Sequence, residues 1–204
     1  EGTMPIIFLH GVYYDHNLWN YFTSRVQDRT VLTIDMPLHG KSKNITKKDW
    51  TLDDCVIMLE EILTALEYEK VYAVGHSWGS MTLLRAANKY PDRFEGIALS
   101  NMPIKKSNFG TKMKFGFQHL FVGMRGFYTK QVAKFMMSKA NRADKPEAVE
   151  YLELSMSNLT NKEIKKINRK IVLKADDGYQ YLNSLKVPAI ALKGEDDYVE
   201  TPDP

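Results

Sequence analysis

One stretch limits the possible folds more than any other: Val71 to Gly79, V-Y-A-V-G-H-S-W-G. Val71, Tyr72, Ala73 and Val74 form a short β-branched and apolar run, the signature of a buried strand. After Gly79, Met81, Leu84, Ala87 and Asn88 recur near helical spacing, with Pro91 just beyond. The pattern is strand, tight turn, helix, with Ser77 at the apex between Gly75 and Gly79. A serine hydroxyl is a poor nucleophile at neutral pH and needs a base on one side and a carbonyl on the other. A sharp, strained turn lifts its oxygen clear of a sheet. The helix that follows then offers free N–H groups to an oxyanion. The bland alternative is a serine that merely caps the helix.

The rest of the chain repeats the alternation. Pro5 to Leu9 is a continuous apolar run, read as a parallel strand buried on both faces, and it ends in His10-Gly11. Trp19, Phe22 and Val26 predict a short helix to about Asp28. Val31 to Ile34 is a strand ending in Asp35, followed by the turn-rich loop D-M-P-L-H-G-K-S. Leu52, Val56, Leu59, Leu63 and Leu66 share one helix face, with Thr51 and Asp54 as a capping box. Strands are also expected at Ile97–Leu99 and Val187–Leu192, the second followed by G-E-D-D, with a returning helix over Asp177–Leu185. Alternation of this kind predicts an α/β fold: a mostly parallel central sheet with helices on both faces. Ligands then bind beyond the carboxyl ends of the strands, where His10, Asp35, Ser77 and Asn101 all lie.

The 204 residues suffice for one domain with an insertion. The insertion is expected over residues 103–170, between a core of 1–102 and 171–204. That segment is lysine- and methionine-rich, without strand alternation. Phe115, His119 and Val122, then Phe127, Val132, Phe135 and Met136, suggest short amphipathic helices there, followed by helices at Pro146–Met156 and Lys162–Leu173. Met113, Met124, Met136, Met137 and Met156 could line an adaptable apolar pocket or simply pack between helices. The net charge of +3 hides 17 Lys and Arg against 7 Asp and Glu between residues 103 and 186. A solvated helical surface accounts for this; attraction to an anionic surface or substrate, even a membrane surface, is the sharper reading. No basic and aromatic pattern points to nucleic acid, and no apolar run approaches a membrane span. The single cysteine, Cys55, excludes an internal disulfide and reads as a core residue of a cytoplasmic protein. No clustered ligands suggest a metal site, and no cofactor is implied.

With these pieces placed, the sequence resembles the α/β-hydrolase family, in its capped single-domain branch. His10-Gly11 followed by Trp19 is similar to the family's oxyanion loop. D-M-P-L-H-G-K-S resembles its D-x-P-G-x-G-x-S loop, with Leu38 where a glycine is usual. G-H-S-W-G matches the nucleophile motif, and V-P-A-I-A-L-K-G-E-D-D the acid-bearing strand and loop.

The resemblance implies roles. Ser77 would be the nucleophile within a catalytic triad. The backbone N–H groups of Val12 and Trp78 would form the oxyanion hole, with Tyr13 a neighbouring possibility. Asp197 would be the orienting acid, with Asp196 its competitor. His10, Tyr13, His76 and Asn101 would border the substrate. The family order is serine, acid, histidine, yet no histidine follows Asp197. His16 and His119 lack the family position. The strands expected before His10-Gly11 and after Asp197 are also missing, so a fragment of a longer protein is expected. The activity implied is a serine hydrolase acting on a small, fairly apolar ester or related acyl substrate. Serine argues against the aspartate-nucleophile dehalogenases and epoxide hydrolases. It leaves carboxylesterase, lipase, C–C hydrolase, cofactor-free haloperoxidase and aminopeptidase relatives open. Ser77-Trp78-Gly79-Ser80 is similar to proline iminopeptidases, but the glycine- and proline-rich loop of those enzymes is missing. The alternative is a non-catalytic ligand-binding or signalling protein.

Overall fold

The computed structural model describes residues 3–44 and 49–197. The ends of the expected core, residues 1–2 and 198–204, lie outside the described residues. Five strands, β1 (Ile6–Leu9), β2 (Val31–Ile34), β3 (Val71–His76), β4 (Phe94–Ser100) and β5 (Ala189–Leu192), form one sheet in the order β2-β1-β3-β4-β5. Every pairing is parallel, with Leu9 beside Ile34 and Gly75, and His76 beside Ser100. The carboxyl ends of all five strands therefore open on one edge.

Helix α1 (Asn20–Thr23) is shorter than the expected run to Asp28. Only Trp19 of the expected face is buried, against Phe8 at 5.1 Å between ring centroids, and Phe22 is half exposed. Little packing is left to extend the helix. Helix α2 (Leu52–Ala65) opens on the Thr51–Asp54 capping box read from the sequence, and buries Leu52, Cys55, Val56, Leu59 and Leu63. Burial also pushes the Cys55 thiol up, so it stays protonated. Helix α3 (Trp78–Lys89) is buried from Trp78 to Ala87 and packs on α2, β3 and β4.

Between β4 and β5 the chain is helical: α4 (Phe109–Gln118), α5 (Arg125–Met136), α6 (Lys139–Asp144), α7 (Pro146–Ser157), α8 (Asn161–Ile167) and α9 (Tyr179–Asn183). The run expected over Lys162–Leu173 divides at Asn168, where α8 passes into a π-helical turn, Asn168–Leu173. Such turns are rare in helices and often sit at functional positions. The packing reading holds for three of the five methionines: Met156 belongs to the core, and Met136 and Met137 pack against it. Met113 is well exposed, because the inner face of α4 belongs to Phe115, and Met124, just before α5, is exposed as well.

Candidate functional site

Ser77 sits at the junction of β3 and α3 with φ 49° and ψ −106°. A left-handed φ on a residue with a Cβ costs on the order of 1–3 kcal/mol, so the surroundings must hold it. They do so from two sides. Ser77 N–H donates to the Ser100 carbonyl at 2.8 Å, and Gly79 N–H to the His10 carbonyl at 3.1 Å. A Cβ at Gly79 would stand 2.2 Å from the Leu9 carbonyl oxygen, so only glycine lets α3 approach β1 this closely. Ser77 occupies the N-cap position, yet its side chain makes no capping hydrogen bond. The capping reading of this serine therefore fails, and the residue is partly exposed.

The loop after β1 closes over this turn. Gly11 lies against Ser77: an added Cβ would be 3.1 Å from the Ser77 Cβ and 2.6 Å from His76 Nδ1. Trp78 is the first residue of α3, so its N–H has no carbonyl partner within the helix. Tyr13, the alternative donor, commits its N–H to His39 Nε2 at 3.0 Å. Tyr13 is itself left-handed, at φ 68°.

The histidines are largely occupied elsewhere. His10 is fully buried; its Nε2 accepts from the Met36 N–H at 2.9 Å and its Nδ1 faces the Gly11 carbonyl at 2.7 Å. Neither nitrogen is left to a substrate, so the position expected to border the substrate instead ties the first loop to the second. Burial, with His39 nearby, keeps the His10 pKa well below the usual range. His39 Nδ1 donates to the Pro37 carbonyl at 2.9 Å, and burial lowers its pKa to about 4. His16 holds Asp35 through Nδ1 at 2.9 Å. His119 Nε2 meets Asn168 Nδ2 at 3.1 Å. His76 packs edge-on against Tyr14, with its pKa lowered to about 4 by burial, an effect only partly offset by the charge of Asp197.

Leu38, in the place of the usual glycine, keeps the conformation that glycine would favour, φ 71°. Its N–H donates to the Ser42 carbonyl at 3.1 Å and its side chain is buried, so packing offsets the strain. Asp35 beneath it accepts from the N–H groups of His16 and Lys41 at 2.7 and 2.8 Å, which makes it the hub of the two loops.

At the end of β4, Asn101 (φ 47°) anchors its N–H on the Leu192 carbonyl at 2.8 Å. Its Nδ2 donates to Asp197 Oδ2 at 2.7 Å, and its Oδ1 accepts from Ser100 Oγ at 2.8 Å. Asn101 thus holds the carboxylate of Asp197 rather than pointing at a substrate. Asp196 is exposed.

A polar network beneath the loop was not legible in the sequence. Tyr13 Oη donates to Asn168 Oδ1 and lies 3.2 Å from Tyr128 Oη, while Asn168 Nδ2 also reaches Tyr128 Oη at 3.0 Å. All three residues are buried. Tyr151 of α7 adds a second tie, bonding Asp15 Oδ1 at 2.7 Å and stacking on Tyr14. The loop's partners in this network are 115 to 155 residues away in sequence, and no local motif marks them. A groove of about 200 Å³ runs between this loop, Leu38-His39-Gly40 and α7; Ser77 is not part of its lining. Among the described residues no cluster of three or more His, Cys, Asp and Glu could hold a metal ion.

The fold has counterparts among known proteins. A strigolactone esterase of Pisum sativum is 29% identical over 172 residues, 78% of this chain and 62% of that protein. A putative esterase/lipase of Haemophilus influenzae is 28% identical over 119 residues, 56% of this chain and 40% of that protein. The matches thus span less than two thirds of these relatives' own length. Among solved structures, the enol-lactonase of Burkholderia xenovorans LB400 superposes with a TM-score of 0.84 at 20% identity, over 99% of this chain and 76% of that one. A hydrolase from Oleispira antarctica does so at 0.85 and 20%, over 99% and 77%. The profile of the family described as the alpha/beta hydrolase fold matches residues 4–203, and the chain belongs to that family.

Proposed function

We propose that the chain forms the core (1–102 and 171–204) and helical cap (103–170) of a serine hydrolase for a small, fairly apolar ester or related acyl substrate, in a cytoplasmic setting. The observation that carries this is Ser77 itself: a strained serine at a helix N-terminus whose hydroxyl caps nothing. In this reading Ser77 Oγ attacks the carbonyl carbon and its proton passes to a histidine supplied from outside these 204 residues. Asp197, steadied by Asn101, orients that histidine. The N–H groups of Val12 and Trp78 receive the oxyanion. The leaving group departs with the proton, and water then releases the acyl enzyme.

A second reading, a non-catalytic ligand-binding protein, draws support from the histidines. His10, His16, His39 and His119 are each bonded to groups other than Ser77. The experiment is fluorophosphonate labelling of the full-length protein with the adduct mapped by peptide mass. An adduct on Ser77 that is lost in Ser77→Ala is expected. Absence of any adduct in a folded, ligand-binding protein would sink the catalytic reading.

A further inference from the structure

The surface of α4 presents an apolar stripe that the catalytic reading does not use. Phe109, Met113 and Phe117 are 79%, 60% and 63% exposed, and Leu120, in the turn that follows, is 75% exposed. At about 100° per residue the first three fall within about 80° of arc, with the buried Phe115 on the opposite side. Lys112 and Lys114 flank the stripe on either edge. The stripe continues into α5 through a chain of ring contacts, edge-on and tilted. Phe117 meets Phe121 at 5.1 Å between centroids, and Phe121 meets the exposed Phe127 at 5.7 Å. Along the chain on either side, residues 103 to 143 contain nine Lys and Arg and no Asp or Glu.

Either feature alone would be unremarkable. A basic surface without apolar groups is a solvated face, and scattered exposed apolar side chains are normal. Their combination on one short helix is the composition of an interfacial segment: apolar residues to enter the headgroup boundary, and cations at its rim to meet anionic lipid. None of the described helices is long and apolar enough to cross a membrane, which leaves binding in the plane of the surface. We infer that α4 and the start of α5 form a reversible docking face for an anionic lipid surface. Charge complementarity selects this occupant, since a second copy of the same face would set Lys112 and Lys114 against their like. Nucleic acid would leave the apolar stripe unused. The inference is independent of the chemistry at Ser77.

The test is sedimentation of the full-length protein with phosphatidylserine/phosphatidylcholine vesicles against phosphatidylcholine alone. Binding is expected to the anionic vesicles and to fall steeply between low and high salt. Lys112→Gln with Lys114→Gln is expected to weaken it about tenfold or more, at nearly unchanged Tm: both side chains are exposed, and the contact given up is that of Lys114 Nζ over the Phe135 ring at 4.8 Å. Met113→Ser with Phe117→Ser is expected to weaken it by at least as much, and to leave fluorophosphonate labelling unchanged. No vesicle binding at low salt would overturn the inference, as would binding indifferent to the two apolar substitutions. Three other results would also overturn it: a dimer that the apolar variant dissolves without any vesicle binding, binding of RNA in place of vesicles, or strong protection of Phe109 and Phe117 from hydroxyl-radical oxidation in the lipid-free full-length protein.

Discussion

Gly11 lies directly against Ser77, so that a single added methyl would stand 3.1 Å from the serine's Cβ and 2.6 Å from His76 Nδ1. The close approach brings the loop after β1 to the turn after β3, and with it the Val12 N–H. In Gly11→Ala the loop must retreat or His76 must turn. The expected outcome is a stability loss of about 1–3 kcal/mol in urea unfolding, with the fluorophosphonate rate at Ser77 reduced about tenfold. Gly79→Ala should cost at least as much stability, because its neighbour is the Leu9 backbone rather than a side chain.

The backbone strain at Ser77 can be measured separately from its chemistry. Both Ser77→Ala and Ser77→Gly remove the hydroxyl, but only glycine relaxes a residue at φ 49°. The glycine variant is expected to be about 1 kcal/mol more stable than the alanine variant, a Tm difference of about 2–4 °C for a chain of this size. Thermal unfolding of the pair decides it. Equal Tm values would mean that the turn carries no strain.

Asn101 and Asp197 form one unit across the ends of β4 and β5. Asp197→Asn is expected to lower kcat of the full-length protein by about a thousandfold or more, through loss of the histidine's orientation. Asn101→Leu should act through Asp197 and cost less. Its mark would be a shift in the acid limb of the pH–rate profile, which a purely structural defect would not produce.

Tyr13, Tyr128 and Asn168 bind the loop after β1 to the helical segment. Tyr13→Phe leaves Asn168 Oδ1 buried without that donor, at a cost of about 1–3 kcal/mol. Combined with Asn168→Ala, the two losses should not add; a coupling energy of about 1 kcal/mol is expected from a double-mutant cycle. Strict additivity would show that the contact stabilises nothing.

His39 gives the protein an acid limit. Burial holds its folded pKa at about 4, below the value of about 6.5 that it recovers on unfolding. The unfolded chain therefore binds more protons between these values. Stability is fully present above about pH 6.5 and is lost as pH falls toward 4, by up to about 3 kcal/mol from this residue. Buried His10 adds in the same direction. Urea midpoints measured from pH 7.5 to 4.5 test this, and a flat profile would contradict it.

Sequence alone was enough for the sheet and for the helices packed on it. The β3–turn–α3 unit, the Thr51–Asp54 capping box and the strands at Val31–Ile34 and Val71–Val74, the second of which runs on to His76, follow from short apolar runs, the helical period of 3.6 and caps a few residues away. Such signals are local, so they survive without knowledge of the fold. The parallel alternation then places His10, Ser77 and Asn101 on one edge of the sheet. Tertiary structure decided which groups are available there. That His39 claims the Tyr13 N–H, that both nitrogens of His10 are engaged, and that Asn101 serves Asp197 all depend on residues far apart in the chain, which packing alone brings within bonding distance. The same holds for α4. Its sequence is apolar on two sides, and Phe115 was legible as inward. Only its seat on the rest of the fold leaves Phe109, Met113 and Phe117 facing water, because a helix has one buried stripe to give to a core and the rest of its surface stays outside.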